Sequence, residues 1–271
     1  MRLPRKALLR AGCGLGLLLT LAGPAAAGGL EMELACQTRE LAGGGRGLEV
    51  TVRNRGQETA SSLQAVPLYP PGAAPSPTLA SLAGGQSASL GLSWGQAETR
   101  PGLHCAVLRL DLRDQQQMPL SALGYVCQEL GPDGASPLDV QAPPVELAGQ
   151  GRLTASLRNQ GAEPVSLTLR ALVPRELAAW PPLRELTLAP GQTRQLSWRL
   201  ENLSGQVGGR YPLLLLSGLD LSGRRLERVD EVMVTLAPLP NPFRAHLGWW
   251  LAALLGLAAW LGGAQWRARR K

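Results

Sequence analysis

The sequence of 271 residues has few of the side chains on which catalysis and metal binding depend. It contains two histidines, His104 and His246, and four cysteines with no Cys-x-x-Cys pair. Neither a glycine-rich phosphate loop nor a nucleophile elbow between a strand and a helix is present. These absences predict that the protein is not an enzyme and has no catalytic, cofactor-binding or metal-binding residues.

The net positive charge lies at the two ends of the chain. The formal net charge is +7, but four basic residues precede the first apolar run and four close the chain. Without these eight positive charges the rest of the chain is close to neutral. A nearly neutral middle excludes a broad basic face for nucleic acid.

Residues 1–27 have the layout of a secretory signal peptide. A basic start is followed by an uncharged stretch from Ala11 to Gly23 and by a small-residue cleavage site that ends at Ala27. The uncharged stretch is shorter than the roughly 20 residues that a membrane span needs. Cys13 precedes most of the apolar residues, which disfavours a lipoprotein signal. We expect cleavage after Ala27.

A second apolar segment, residues 247–266, contains no charged residue. Twenty helical residues cover about 30 Å, enough for one bilayer crossing. Trp249, Trp250 and Trp266 lie near its ends and suit the interfacial aromatic belts. A basic tail follows, residues 267–271, which contains Arg267, Arg269, Arg270 and Lys271. The sequence therefore predicts a single transmembrane helix.

The basic tail also predicts the orientation in the membrane. Basic residues beside a span lie on the cytoplasmic side. The predicted location is the inner (cytoplasmic) membrane, with the N-terminal ectodomain in the periplasm or outside the cell and a short tail in the cytoplasm.

Between residues 28 and 240, apolar residues alternate with polar ones over five to eight positions, as in Leu48–Arg53, Leu108–Arg113 and Val165–Arg170. Glycine, proline, asparagine and aspartate interrupt these runs. Many short alternating segments separated by turn residues predict the strands of a β-sandwich.

Three stretches recur in order at nearly constant spacing: Val52–Gly56 with Leu157–Gly161, Leu82–Gln86 with Leu188–Gln192, and Gly102–Leu108 with Gly209–Leu215. We therefore predict two copies of one domain, residues 28–130 and 138–237. The segments 131–137 and 238–246 are then a linker and a juxtamembrane linker. In both copies Asn-x-Gly predicts a turn in which glycine, and often asparagine, has positive φ.

The second copy combines Asn159-x-Gly161, Pro174, Trp180, Leu188-x-Pro-Gly and Gly209-x-Tyr211. This pattern resembles bacterial immunoglobulin-like domains of the NEW3 and CARDB type. In the first copy Gly84 replaces the turn proline and His104 replaces the tyrosine. The resemblance implies an all-β fold of two tandem immunoglobulin-like β-sandwiches, followed here by the single transmembrane α-helix. It also implies an ancillary binding or spacer role in the cell envelope.

Three cysteines remain after signal removal, and an oxidising compartment favours one disulfide. A hairpin that turns at Gln115–Gln117 places Cys105 opposite Cys127, which predicts a cross-strand bridge between them. Cys36 is a rival partner for either residue. A third alternative is that all three are reduced core residues.

A proline-rich loop of the second copy is a candidate partner contact, because exposed Trp and Arg are typical interface anchors. Its candidate residues are Pro174, Arg175, Trp180, Pro181 and Pro182. The alternative is that Trp180 folds back over its own sandwich. In the first copy Tyr69, Pro70 and Pro71 form the equivalent loop and a second candidate contact.

Arg224, Arg225 and Arg228 lie near a hairpin turn of the second copy. We interpret them as a solvated strand edge that discourages pairing with another sheet.

These features predict a non-catalytic, membrane-anchored envelope protein whose extracytoplasmic domains scaffold or bind other envelope or inner-membrane proteins. Its helix would contact lipid, and nucleic acid is not expected as a partner. One alternative is a carbohydrate-binding ancillary module. Another is a C-terminally processed surface protein, because Leu239–Pro242, the apolar span and the basic tail resemble a three-part sorting signal. A paired-domain assembly factor broadly similar to pilus chaperones is a further alternative.

Overall fold

The computed structural model of the chain describes residues 19–20, 29–40, 46–94, 100–131, 136–239 and 247–268. The first strands are β1 (Leu19–Thr20), β2 (Met32–Glu40), β3 (Arg46–Asn54), β4 (Ala60–Tyr69), β5 (Leu79–Leu82), β6 (Ser87–Trp94), β7 (Gly102–Arg113) and β8 (Pro119–Leu130). The later strands are β9 (Leu138–Gln141), β10 (Val145–Leu147), β11 (Gln150–Asn159), β12 (Val165–Leu172), β13 (Leu177–Trp180), β14 (Leu183–Leu188), β15 (Thr193–Asn202), β16 (Arg210–Leu221) and β17 (Arg224–Leu236). One helix, α1, follows at Leu247–Ala268.

Strands β1 to β8 form the first sandwich. One sheet has the order β1-β2-β3-β6, and the other has β8-β7-β4-β5. Successive side chains on a strand point to opposite faces, so alternate residues reach the interior. Val50 and Val52 of β3 accordingly meet Leu108 and Leu110 of β7 in one buried core.

Strands β9 to β17 form the second sandwich. Its sheets have the orders β13-β15-β11-β9 and β14-β12-β16-β17-β10. On β12, Val165, Leu167 and Leu169 are buried and alternate with more exposed residues. They belong to a second core that contains the fully buried Trp198 of β15.

The two sandwiches share one strand order. Sheets β2-β3-β6 and β5-β4-β7-β8 of the first correspond to β9-β11-β15 and β14-β12-β16-β17 of the second. Two facing sheets with this connectivity have the immunoglobulin-like arrangement. The predicted all-β class and immunoglobulin-like sandwich are therefore confirmed. Strand β13, which pairs with β15 at the edge of its sheet, has no counterpart among the described residues of the first sandwich.

The repeated Asn-x-Gly motif works differently from the prediction. Neither Asn54 nor Asn159 has positive φ, and both side chains are fully buried. The Asn54 amide donates to the carbonyl oxygens of Glu58 (2.7 Å) and Leu82 (3.0 Å), and its Oδ1 accepts from the Gly56 N–H.

The second copy repeats this arrangement. The Asn159 amide donates to the carbonyl oxygens of Glu163 (2.8 Å) and Leu188 (3.2 Å), and its Oδ1 accepts from the Gly161 N–H (2.9 Å). The buried asparagine of the motif thus links two loops through its side-chain hydrogen bonds. The expectation of positive φ at the motif was wrong.

The two sandwiches share one nine-stranded sheet, because β7 and β17 pair in parallel. Gly102 and Leu103 lie opposite Arg225 and Leu226. Gly102 has φ of +134°, and a Cβ at this position would lie 1.8 Å from the Arg225 carbonyl oxygen. Only glycine allows so close an approach between the strands.

This pairing corrects the interpretation of Arg224, Arg225 and Arg228 as a strand edge. Their strand, β17, pairs with β16 on one side and with β7 and β10 on the other. It therefore lies inside the sheet. An edge and an interior strand have similar local sequences, because their difference depends on residues far away in the chain.

Helix α1 contains the whole of the predicted helical segment. Its described side chains are exposed, including the large apolar residues Trp249, Trp250, Leu251, Leu254, Leu255, Leu257 and Trp260. Among the residues that the structure describes, no helix reaches the length and hydropathy required to cross a membrane.

Several predicted segments lie mainly outside the described residues. Residues 1–28 are described only at Leu19 and Thr20, which pair with Leu34 and Glu33 of β2. Residues 132–135 of the linker and 240–246 of the juxtamembrane segment are also outside them. Signal cleavage and both linkers therefore stay predictions.

Candidate partner-binding surfaces and the junction between the sandwiches

A disulfide joins the two long strands of the first sandwich. Cys105 of β7 lies directly opposite Cys127 of β8, with 4.0 Å between their Cα atoms. The predicted cross-strand bridge is confirmed, as is the register that places them opposite one another. Cys36 of β2 is a free, buried thiol whose pKa burial raises to about 12.

Glu227 of β17 is buried against the first sandwich, close to this disulfide. One carboxylate oxygen accepts from the Cys105 backbone N–H at 2.8 Å. The other accepts from the Tyr69 hydroxyl at 2.5 Å and from the Arg225 guanidinium at 3.0 Å. Charge-assisted bonds of this kind compensate for the burial of a carboxylate. Glu227 therefore fixes the start of β7 relative to β17.

Glu176 makes a second buried contact between the sandwiches. It lies between β12 and β13, and its two carboxylate oxygens accept from the Ser121 N–H and hydroxyl, each at 2.6 Å. Burial raises the pKa of Glu176, and the hydrogen bonds from Ser121 oppose that rise. The Arg175 N–H in turn donates to the Ser121 hydroxyl at 2.9 Å.

Apolar residues fill the space between these two polar contacts. Val107 and Leu123 of the first sandwich pack with Leu214 of the second, and all three are buried. Partly buried residues surround them: Leu68, Tyr69, Tyr125, Leu172 and Val229. The junction thus combines shared backbone pairing, an apolar cluster and two buried glutamates, and these make the sandwiches one unit.

The predicted contact residues of the first sandwich lie partly in this junction. Tyr69 is half-buried, its hydroxyl bonds to Glu227, and the Arg170 guanidinium lies 5.8 Å from the centre of its ring. Pro70 is half-buried, whereas Pro71 is exposed. Tyr69 and Trp180 both border the connection between corresponding strands, β4 to β5 in the first sandwich and β12 to β14 in the second, and the second connection also contains the additional strand β13.

The predicted contact loop of the second sandwich divides into two parts. Pro174 is buried, and Arg175 is an exposed residue whose backbone joins the junction. At the other end Trp180 is 63% exposed. The alternative in which Trp180 covers its own core is therefore wrong. Pro181 beside it is half-buried, and Pro182 is exposed.

Trp180 forms part of a row of exposed side chains that sequence reasoning missed. It lies opposite Arg199 of β15, and Arg199 lies opposite Arg152 of β11. Directly opposed residues of antiparallel strands project from the same face. All three side chains are exposed. No local signal in the sequence shows this row, because it depends on the register of three separate strands.

Other aromatic residues of the sandwiches serve the fold. Trp198 and Tyr211 are buried, and the Tyr211 hydroxyl accepts from the Gln206 N–H at 2.9 Å, as in the tyrosine corner of immunoglobulin domains. In the first sandwich the ring of His104 replaces this tyrosine and lies 2.9 Å from the Arg100 carbonyl oxygen.

Trp180 is the one aromatic residue more than half exposed among the described side chains of the sandwiches. The flat aromatic platforms that bind sugars need several exposed rings. The described surface of the sandwiches therefore offers only part of such a platform.

The predicted membrane-interface residues lie in or after α1. Trp249 and Trp250 are exposed in its first turn. Trp266 and Arg267 belong to the last turns of the helix. Arg269, Arg270 and Lys271 lie outside the described residues.

The described residues contain no group of three or more side chains able to hold a metal ion. A Gly91-x-Ser93-x-Gly95 sequence has the spacing of a nucleophile elbow. Gly91 and Ser93, however, lie in β6 opposite Glu49 and Gly47. An extended strand lacks the sharp turn that exposes such a serine.

No protein-family model matches the sequence, and no curated protein is significantly similar to it. Native α2-macroglobulin of Escherichia coli is 12% identical over 76% of this chain and 17% of that chain, with a TM-score of 0.34. A fragment of the same protein, from domain MG7 to its C-terminus, is 19% identical over 38% of this chain and 17% of the fragment, with a TM-score of 0.33.

A PapD-like domain of human CEP192 is 11% identical over 42% of this chain and 96% of that domain, with a TM-score of 0.30. The chain thus corresponds to about a sixth of the α2-macroglobulin chain it matches. Identities and TM-scores this low carry no argument about function.

Proposed function

We propose that this chain is a non-catalytic, membrane-anchored protein of the bacterial cell envelope whose two sandwiches bind or scaffold protein partners. The observation that supports it most directly is the junction, where Glu227 and Glu176 join two immunoglobulin-like sandwiches into one body. Such a body holds exposed residues at fixed positions. A fixed surface is what a scaffold requires, and Trp180 with its arginine neighbours is a suitable contact.

The anchoring part of the proposal rests on the sequence of residues 247–266 and on the exposed apolar side chains of α1. A helix that is apolar all round has no water-facing side and is stable in lipid. We expect the protein to stay in the membrane fraction during carbonate extraction. The mass of the mature chain would test cleavage after Ala27 and, at the other end, the alternative of C-terminal processing.

In-cell cross-linking followed by purification in mild detergent tests the scaffold. We expect a membrane or exported protein in stoichiometric amount, reduced at least about tenfold by Trp180→Ala, since a central aromatic anchor contributes 2 kcal/mol or more. Val207→Ala, at another exposed apolar residue of the second sandwich, is the control outside the Trp180 row. Glu176 should be left intact, because it belongs to the junction. Purification of the protein alone would contradict the proposal, and binding to polysaccharide would then be tested.

A further inference from the structure

The row Trp180–Arg199–Arg152 places two like charges beside each other on an open face. Arg199 and Arg152 are directly opposed on β15 and β11, and both are exposed. Directly opposed like charges on neighbouring strands are destabilising. None of the ion pairs among the described residues includes either guanidinium. The fold therefore retains a repulsion that an anion placed between the two would relieve.

The residues around the pair include one acidic side chain, Glu201, and none of the ion pairs among the described residues joins it to either guanidinium. The Arg199 guanidinium donates to the Gln150 side-chain oxygen at 2.9 Å, an uncharged acceptor. Glu201 lies two residues along β15 in the next row, opposite Gln150 and Ala178. At the far end of the same face, Arg158 lies opposite Asp139. That arginine has an acidic neighbour across the strand, whereas Arg152 faces another arginine.

Trp180 completes the row at the free edge of the sheet. Its strand, β13, pairs only with β15 among the described strands. Adjacent strands lie about 4.8 Å apart, so the row extends about 10 Å from Trp180 to Arg152. Three residues of an extended peptide cover the same distance. Exposed tryptophan and arginine are also the residue types that contribute most to protein interfaces.

We propose that this row binds an acidic, extended segment of a protein partner. A carboxylate of the segment would lie between the Arg152 and Arg199 guanidinium groups, which can each form paired hydrogen bonds to it. A neighbouring apolar side chain would pack on the Trp180 ring. The inference rests on the proposed scaffold function and names the chemistry of its partner. An acidic polysaccharide is the less favoured occupant, because Trp180 is the one ring more than half exposed on the described surface of the sandwiches.

Titration of the full-length protein in non-ionic detergent with fluorescent polyglutamate of about 20 residues tests the proposal at low ionic strength, where charge attraction is strongest. We expect saturable binding that Arg152→Gln and Arg199→Gln each weaken about tenfold, as for interface anchors, whereas Trp180→Ala should weaken it less, because polyglutamate has no apolar side chain to pack on the ring. Arg158→Gln removes the same charge from the same face and is the matched control. It should change the dissociation constant less than twofold.

Thermal unfolding of the unbound variants provides a second readout. Arg152→Gln should leave the melting temperature unchanged or raise it by about 1–3 °C, because it removes the repulsion. A lower melting temperature would show that Arg152 has a structural partner and would overturn the argument. That measurement also shows whether each variant is folded.

Three binding outcomes would overturn the inference. They are no binding of polyglutamate, an equal loss with Arg158→Gln, and tighter binding of the uronate polymer alginate than of polyglutamate. Cross-linking separates this failure from failure of the scaffold proposal. A partner captured equally by wild type and by Arg152→Gln/Arg199→Gln would overturn the proposed binding of an acidic segment, and it would still support the scaffold proposal.

Discussion

At the scale of single residues, the most informative positions are buried polar side chains rather than exposed ones. Asn54 and Asn159 are fully buried. Each side chain links the loop that follows its own strand to the last residue of a distant strand, Leu82 of β5 or Leu188 of β14. The short side chain of asparagine reaches both partners only if the backbone places their carbonyl oxygens within about 3 Å of the amide nitrogen. The repeated motif therefore forms a tertiary contact rather than only a local turn.

Asn159→Ala should lower the free energy of unfolding by about 2–3 kcal/mol, because it removes the donor to the buried Leu188 carbonyl and to the partly buried Glu163 carbonyl. For a body of this size the melting temperature should fall by about 5–10 °C. Urea unfolding, followed by far-ultraviolet circular dichroism, measures the change. The variant Gln160→Ala, at the exposed residue beside it, is the control. Equal midpoints for both variants would show that the Asn159 hydrogen bonds do not stabilise the fold.

Glu176 predicts a pH dependence of stability. Burial raises its pKa above the ordinary value of 4.5, so the folded state favours the protonated form. The stabilisation this provides is complete below pH 4.5 and is lost as pH rises through the raised folded-state pKa. It amounts to about 1.4 kcal/mol for each pH unit by which the pKa is raised.

Glu176→Gln removes this titration while keeping an acceptor for Ser121. The urea midpoint of the wild type, relative to that of the variant, should therefore be highest near pH 4.5 and fall towards pH 7. Asp230 and Glu231, whose pKa values burial also raises, are present in both proteins and cancel in the difference. A difference independent of pH would show that the pKa of Glu176 is the same in the folded and unfolded states, and a wild-type midpoint that rises with pH relative to the variant would show that folding lowers that pKa.

At the scale of elements, the sequence predicts what local geometry determines. The turn at Gln115–Gln117 sets the register of β7 and β8, because a hairpin with a known turn has only one pairing. That register places Cys105 opposite Cys127, as observed. The alternating strands and the domain repeat were predictable for the same reason, since period and spacing are local properties.

Features that depend on distant strands were not predictable. The interior position of β17 follows from its pairing with β7, whose residues precede it by more than a hundred positions. The Trp180–Arg199–Arg152 row likewise depends on the register of three strands. The contact of Tyr69 with Glu227 joins two copies that look independent in the sequence.

The disulfide of the β7–β8 hairpin should stabilise the first sandwich. Its cysteines are 22 residues apart, and closing a loop of this length contributes about 3 kcal/mol. Cys105→Ala/Cys127→Ala should therefore lower the urea midpoint, with Cys36→Ala as a control for the loss of a thiol. Alkylation with iodoacetamide provides an independent check. Without reductant, the mature wild-type chain should be alkylated once, at Cys36, and only after unfolding, because the folded thiol is buried.

At the scale of the whole molecule, the junction distinguishes this protein from tandem domains on a flexible linker. Interfaces between domains of one chain generally allow relative motion unless they are large and apolar. Here backbone pairing at Gly102 adds to the apolar cluster around Leu214 and to the two buried glutamates. The fold therefore sets the orientation of one sandwich relative to the other. This orientation determines the position of the Trp180 row relative to the first sandwich.

Coupling through the junction predicts one cooperative unfolding transition for both sandwiches in differential scanning calorimetry of the full chain. Gly102→Ala should separate it into two, because the new Cβ would lie 1.8 Å from the Arg225 carbonyl oxygen and force β7 away from β17. Gly91→Ala is the matched control, since a Cβ there has nothing within 4 Å. Two transitions in the wild type would show that the sandwiches unfold independently. A single lowered transition in Gly102→Ala would show that the apolar cluster and the glutamates couple them without the strand pairing.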